Sequence, residues 1–105
     1  MRLKDKVSLI TGAGKGIGAA IARRFAAEGA KLVICDLNEE NIRAVVTELE
    51  NMGSQASGFV VDVTDMAAVE AMVKKALEKY ETIDILVNNA GIARDAMLHK
   101  MSEDD

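Results

Sequence analysis

Hydrophobic positions in this chain follow two periods in turn. Short apolar runs at Val7–Thr11, Lys31–Asp36 and residues 83–87 suit strands, and a further run, beginning near Gln55 and containing Phe59, Val60 and Val61, makes a fourth. Between them the apolar residues recur at helical spacing. Ile17, Ile21 and Phe25, with Ala20, Ala22 and Ala26 beside them, predict a helix over residues 16–28 that Gly29 ends. Its small residues let it lie close to a sheet. Ile42, Val45, Val46, Leu49 and Met52 trace the buried stripe of a second helix, with Asn38 as N-cap and Gly53 as its stop. Val69, Met72, Val73, Ala76, Leu77 and Tyr80 form the inner face of a third, capped by Thr64 or Asp65. After the last strand, residues 88–91 read as a polar turn, residues 94–101 as a loop, and Ser102 as the N-cap of a helix with an acidic first turn.

Strands alternating with helices imply right-handed crossovers and a parallel sheet. The second strand is apolar on both faces, as in a sheet covered on both sides. The expected architecture is α/β, a partial doubly wound Rossmann sheet of β-α-β-α-β-α-β with strand order 3-2-1-4. Residues 1–105 are read as one such unit, the dinucleotide-binding half of a larger domain, ending as a helix begins. Proline is absent, so nothing marks a stiff linker.

Sheets of this kind bind ligands outside the carboxyl ends of their strands. The segments expected there are residues 12–18, Asp36-Leu37, Asp62-Val63 and residues 88–91, so every noteworthy motif falls on one edge. The first is a glycine-rich turn between strand and helix, Thr11-Gly12-Ala13-Gly14-Lys15-Gly16-Ile17-Gly18. Its glycines admit a ligand close to the backbone, and the helix behind it offers unpaired N–H groups and a positive dipole end, a seat for a pyrophosphate. The spacing is Thr-Gly-x-x-x-Gly-x-Gly; Ile17 stands where the common G-x-G-x-x-G fingerprint has its third glycine. A carboxylate at Asp36 can accept hydrogen bonds from an adenosine ribose and repel a 2′-phosphate. Lys15 pulls the other way, since a cation in the turn can pair with that phosphate. Asp36 weighs more, which favours NAD over NADP. Asp62 can accept from an adenine amino group, with Val63 offering a backbone N–H and an apolar wall. The amides of Asn88 and Asn89 can tie neighbouring strand ends together, and Ala90 and Gly91 leave room for a cofactor.

Composition narrows the picture further. Half the residues are hydrophobic and 29% are charged, an ordinary globular balance. A net charge of −4 and an aromatic content of 3% give no support to nucleic-acid binding. The single cysteine, Cys35, excludes an internal disulfide, and a lone histidine, His99, makes neither a metal site nor a triad. No run is long enough for a signal peptide or a membrane span, so a reducing, cytoplasmic compartment is expected.

Thr11-Gly12-x-x-x-Gly16-x-Gly18, Asp62 and Asn88-Asn89-Ala90-Gly91 together resemble the N-terminal half of the short-chain dehydrogenase/reductases. Residues 11–18 and 84–95 look most like the subgroup of bacterial 3-oxoacyl-[acyl-carrier-protein] reductases. The resemblance implies that residues Gly12 to Gly18 (Gly14, Lys15, Gly16 and Ile17 among them) hold the pyrophosphate. It implies Asp36, with Leu37 after it, for the adenosine ribose, Asp62 and Val63 for the adenine, and Asn89, Ala90 and Gly91 for the inner part of the cofactor. It also implies a catalytic serine, a Tyr-x-x-x-Lys pair and a helix asparagine later in such chains. Here the only tyrosine is Tyr80, and Asp84, not lysine, follows it at that spacing. No residue is therefore expected to be catalytic. Two readings stand: the cofactor half of an NAD-dependent carbonyl oxidoreductase, inactive alone, or a non-catalytic module that folds, self-associates through the edge of the fourth strand or its helix faces, and binds the dinucleotide weakly or not at all.

Overall fold

The computed structural model describes residues 2–89. Four parallel strands, β1 (Val7–Thr11), β2 (Lys31–Asp36), β3 (Ala56–Val60) and β4 (Ile85–Asn88), lie in the order β3-β2-β1-β4. The intervening helices are α1 (Gly16–Ala27), α2 (Glu39–Asn51) and α3 (Met66–Tyr80). The expected strand order and alternation are thus the observed ones. The loop and helix start expected over residues 94–105, like Ala90 and Gly91, lie outside the described residues.

The period of two in the strands sorts their side chains into two cores. Ile10, Leu32, Ile34 and Ala56 face α1 and α2, where Ala22, Ile42, Val45 and Leu49 meet them. Val7, Leu9, Val33, Cys35 and Val61 face α3, against Val69, Met72, Val73 and Ala76. All residues of β1 are buried, as befits a strand paired on both sides and covered on both faces. Gly58 lets α2 lie directly on β3: a Cβ there would press on the methyl groups of Ile42 and Val46. A second tie joins the other layer to the same strand, through the Ser57 Oγ and Tyr80 OH, 2.8 Å apart, with Lys79 Nζ donating to Ser57 Oγ at 2.9 Å.

Several local expectations need correction. In α1 the small residues Gly18, Ala19, Ala22 and Ala26 do lie against the sheet, with Ile21 and Phe25 partly buried and packed against the same core, but Ile17 is 72% exposed and Ala20 is exposed. Close helix–sheet contact gives the small residues the innermost positions, and Ile21 and Phe25 pack beside them. Met52 is exposed because α2 stops at Asn51 and Met52 becomes its C-cap, with Gly53 at φ 91° turning the chain away. Asp65, not Thr64, caps α3, accepting from the Ala68 N–H. β4 starts two positions later than expected because Asp84 has another task. Its N–H donates to the Val7 carbonyl and its Oδ2 accepts from the Val7 N–H at 2.9 Å, closing the start of β1.

Ser8 stands out within β1: it is fully buried, and its Oγ has no hydrogen-bond partner among the described residues. A buried hydroxyl without a partner costs free energy that a methyl does not. Ser8→Ala is therefore expected to leave stability unchanged or raise it by up to ~1 kcal/mol, whereas Asp84→Ala, which orphans the Val7 N–H, should lower it by about 1 kcal/mol. Urea unfolding of both variants checks the pair, and a destabilised Ser8→Ala would contradict the reading.

Candidate functional site

The strand ends gather the predicted residues on one edge. β1 delivers the turn 12–15, β2 delivers Asp36 and Leu37, β3 leads to Asp62, Val63 and Thr64, and β4 ends in Asn88 with Asn89 beyond it. A cleft of about 190 Å³ lies among Gly12, Asp36, Leu37, Val61, Asp62, Val63 and Thr64. That is smaller than the ~300–1,000 Å³ of pockets that enclose whole drug-sized ligands, and suits one flat ring system.

The turn is shaped by its glycines in two ways. Gly12 and Gly16 have φ of 63° and 61°, a backbone conformation that favours glycine. Gly16 has open space where a Cβ would go. Gly18 is required by proximity instead: a Cβ would overlap the Gly12 carbonyl oxygen. The first turn of α1 thereby rests on the end of β1. α2 and α3 are capped by the side chains of Asn38 and Asp65, but Lys15, at the N-cap of α1, makes no side-chain cap bond. Among the described residues the first-turn amides of α1, at the positive end of its dipole, thus have no side-chain cap, an arrangement that suits a phosphate oxygen. Lys15, Gly16 and Ile17 are exposed around it.

Asp36 is fixed in place by backbone. Its Oδ2 accepts from the Gly14 N–H at 2.8 Å, and its Oδ1 from the Leu37 N–H at 2.7 Å. A carboxylate offers about four acceptor positions, so capacity remains for ribose hydroxyls. Leu37, beside it, is 66% exposed, a large apolar side chain at the mouth of the cleft. Asp62 is likewise ordered. Its Oδ1 accepts from both the Thr64 N–H (2.9 Å) and the Thr64 Oγ1 (2.6 Å), and these bonds hold its carboxyl below the usual carboxylate range.

At the other side of the turn, the Thr11 Oγ1 donates to the Asn88 Oδ1 at 3.0 Å, and the Asn89 Nδ2 donates to the Gly12 carbonyl at 3.2 Å. The two asparagines do tie strand ends together. Ala90 and Gly91 lie outside the described residues.

Three features were not anticipated from the sequence. Thr64 belongs to the cleft through Asp62; the Asp-x-Thr spacing of a side-chain-stabilised turn was the available signal. Thr11 joins β1 to β4 rather than merely ending a strand. The bond from Gly14 to Asp36 bridges two distant segments and has no local signal. Cys35 is buried in β2, and Tyr80 packs on the inner face of α3. Burial, then the neighbouring Asp36 charge, pushes the Cys35 thiol up to about 12, and the Tyr80 hydroxyl is held at Ser57. No described helix is long and apolar enough to cross a membrane.

This is the carboxyl-end strand edge of a Rossmann-class sheet. Comparison with known proteins makes it specific: residues 6–105 match the short chain dehydrogenase family, and the chain belongs to that family. It is 47% identical over its whole length to the 3-oxoacyl-[acyl-carrier-protein] reductase FabG of Thermotoga maritima, covering 43% of that protein. It is 45% identical, again over its whole length, to the (2S)-[(R)-hydroxy(phenyl)methyl]succinyl-CoA dehydrogenase subunit BbsD of Thauera aromatica, covering 42% of it. The chain thus spans less than half the length of these curated relatives. Among solved structures, a metagenomic short-chain oxidoreductase in complex with NADP superposes with a TM-score of 0.92 at 28% identity, over 98% of this chain and 57% of that one. A 7α-hydroxysteroid dehydrogenase complexed with NADH and 7-oxo glycochenodeoxycholic acid gives 0.80 at 41%, over 83% and 34%. Family neighbours hold NAD or NADP.

The depressed Asp62 carboxyl has a testable consequence. A carboxylate whose folded pKa lies below its unfolded one contributes stability above the unfolded value and loses it as pH falls through the folded value. The Asp62 side chain, followed by NMR, should therefore titrate at lower pH than a free aspartate, and Thr64→Val should move its midpoint up. An unchanged midpoint in that variant would remove Thr64 as the cause.

Proposed function

We propose that the chain is the dinucleotide-binding half of a short-chain oxidoreductase, holding NAD in preference to NADP, whose whole protein reduces a carbonyl of the 3-oxoacyl thioester type. The observation that carries this reading is the coincidence, on one strand edge, of the uncapped α1 N-terminus and a carboxylate fixed at the end of β2. The glycine turn fits the cofactor as a cradle: Gly16 is open, and Gly14 and Gly18 have no room for side chains of their own. When bound, the dinucleotide in its reduced form would supply the hydride that a carbonyl carbon accepts, becoming oxidised in the exchange.

Residues 12–18, with Lys15 and Ile17 at the rim, hold the pyrophosphate through backbone N–H groups. The Asp36 carboxylate accepts from the adenosine ribose and opposes a 2′-phosphate by like charge. Leu37 and Val63 flank the adenine, and Asp62 accepts from its amino group. Asn89, Ala90 and Gly91 serve the inner part of the cofactor. Proton transfer in the whole protein falls to residues other than these; Tyr80 is engaged with Ser57. The thioester substrate is supported by the names of the two relatives above, one an acyl-carrier-protein reductase and the other a CoA-ester dehydrogenase. A cytoplasmic site of action goes with it.

Calorimetry with NADH and NADPH tests the cofactor assignment. NADH should bind at least about tenfold more tightly, a difference of ~1.4 kcal/mol, and Asp36→Ala should erase that preference. Heat with neither dinucleotide would overturn the binding reading, and a preference for NADPH would overturn Asp36 as the selector.

The alternative, a non-catalytic module that self-associates, is favoured by one observation. Among the described residues β4 pairs only with β1, and Ile85, Leu86 and Val87 are half-buried at the sheet edge. An apolar edge strand invites pairing with another chain. Sedimentation of the 105-residue chain should show a mass that rises with concentration; a monomer at every concentration would count against this reading.

A further inference from the structure

Gly14 differs from the other glycines of the turn. Gly12 and Gly16 have positive φ, but Gly14 does not, so its backbone conformation suits any residue. Open space also distinguishes Gly16 from it. A Cβ on Gly14 would stand 2.7 Å from the Asp36 Oδ2, 2.9 Å from the Asp36 Cγ and 3.0 Å from the Asn41 Cβ. Something must give way. Asn41 cannot easily do so, because its N–H is held by the Asn38 cap at the start of α2. The atoms free to move are those of the Asp36 carboxylate, which turns about its own side-chain bonds. Turning it breaks the 2.8 Å bond from the Gly14 N–H.

We infer that Gly14 is a positioning residue for cofactor choice: its lack of a side chain, together with its N–H, sets the Asp36 carboxylate where it discriminates a ribose 2′-hydroxyl from a 2′-phosphate. The inference rests on the reading of Asp36 as the NAD selector. The selectivity of the edge therefore resides in a pair, one member on the β1–α1 turn and the other at the end of β2. A side chain at position 14 displaces the carboxylate, weakens its bond to a ribose hydroxyl and relaxes its opposition to a phosphate.

The test is a double-mutant cycle read as the ratio of NADPH to NADH dissociation constants, measured by calorimetry on the full chain. Gly14→Ala should reduce that ratio about tenfold, the size of one charge-assisted hydrogen bond. In an Asp36→Ala background the same substitution should leave the ratio unchanged, since no carboxylate remains to be displaced. Gly58→Ala, equally crowded but placed between α2 and β3, controls for general loosening and should not change the ratio. Effects of Gly14→Ala and Asp36→Ala on the ratio that simply add would overturn the inference, as would an unchanged ratio in Gly14→Ala alone. An unsubstituted chain that binds neither dinucleotide, or prefers NADPH, would overturn the selector reading and this inference with it. Should Gly14→Ala fail to fold, the bond remains testable without it. The Gly14 amide proton should shift upfield on Asp36→Ala, and an amide resonance that stays in place would overturn the inference.

Discussion

The site depends on a contact with no room for a side chain: the backbone of Gly18 against the Gly12 carbonyl. A helix normally stands off a sheet by the thickness of its side chains. Here the first turn of α1 touches the end of β1, and the rest of the helix follows on Gly18, Ala19, Ala22 and Ala26. The close approach brings the first-turn amides of α1 to the strand edge where the cleft opens. It also leaves the Gly12 carbonyl available to the Asn89 amide, so that β4 is tied to the same turn. The Thr11–Asn88 bond makes a second link between the same strands. A side chain at position 18 would cost more than ordinary overpacking of ~1–3 kcal/mol, because the obstruction is backbone, and backbone at the end of a central strand cannot yield.

The same economy explains why the edge is rigid before any ligand arrives. Each acidic side chain in the cleft is bonded to main chain: Asp36 to the amides of Gly14 and Leu37, Asp62 to that of Thr64. Side chains already immobilised lose little rotamer entropy on binding, a cost of ~0.5–1.5 kcal/mol for each one that must otherwise be ordered. The apolar residues left exposed nearby, Ile17 and Leu37, are the complement of this arrangement: among the described residues nothing covers them.

What was legible in the sequence follows from how local each signal is. Strand order and helix count came from alternation of periods, the cap at Asn38 from residue type just before a periodic run, and the cap of α3 from the same signal as one of two neighbours, Thr64 or Asp65. Gly29 and Gly53 announced helix ends because their backbone conformation is one that other residues avoid. The errors occurred where packing distance overrode pattern. Ile17, Ile21 and Phe25 recur at helical spacing, and Ile21 and Phe25 do pack against the core, yet Ile17 is exposed. Met52 continues the stripe of α2 by count but falls past its last turn. Asp84 looks like one more strand position, yet it spends its side chain on Val7, 77 residues away in sequence. Site residues were legible as positions on one edge, through topology, while their couplings were not: the bonds of Gly14 to Asp36 and of Asn89 to Gly12 join segments with no sequence neighbourhood in common.

Those couplings bear on how a site of this kind discriminates at all. A carboxylate repels a phosphate only if it cannot move aside. On a flexible side chain at an exposed strand end, the carboxylate would turn toward water, and the like-charge contact would be relieved at the cost of one rotamer change. Screening in physiological salt over ~8 Å would remove most of what remained. Specificity against an unwanted ligand needs a repulsive element that is held in place. Both oxygens of Asp36 are anchored by main-chain N–H groups from two different elements, so movement breaks hydrogen bonds to a charged group, worth ~1.5–3 kcal/mol each. In the proposed function it is the anchoring, more than the presence of an aspartate, that would make the end of β2 a selector rather than a solvated acidic position. The glycine turn contributes directly to that anchoring, through the Gly14 N–H.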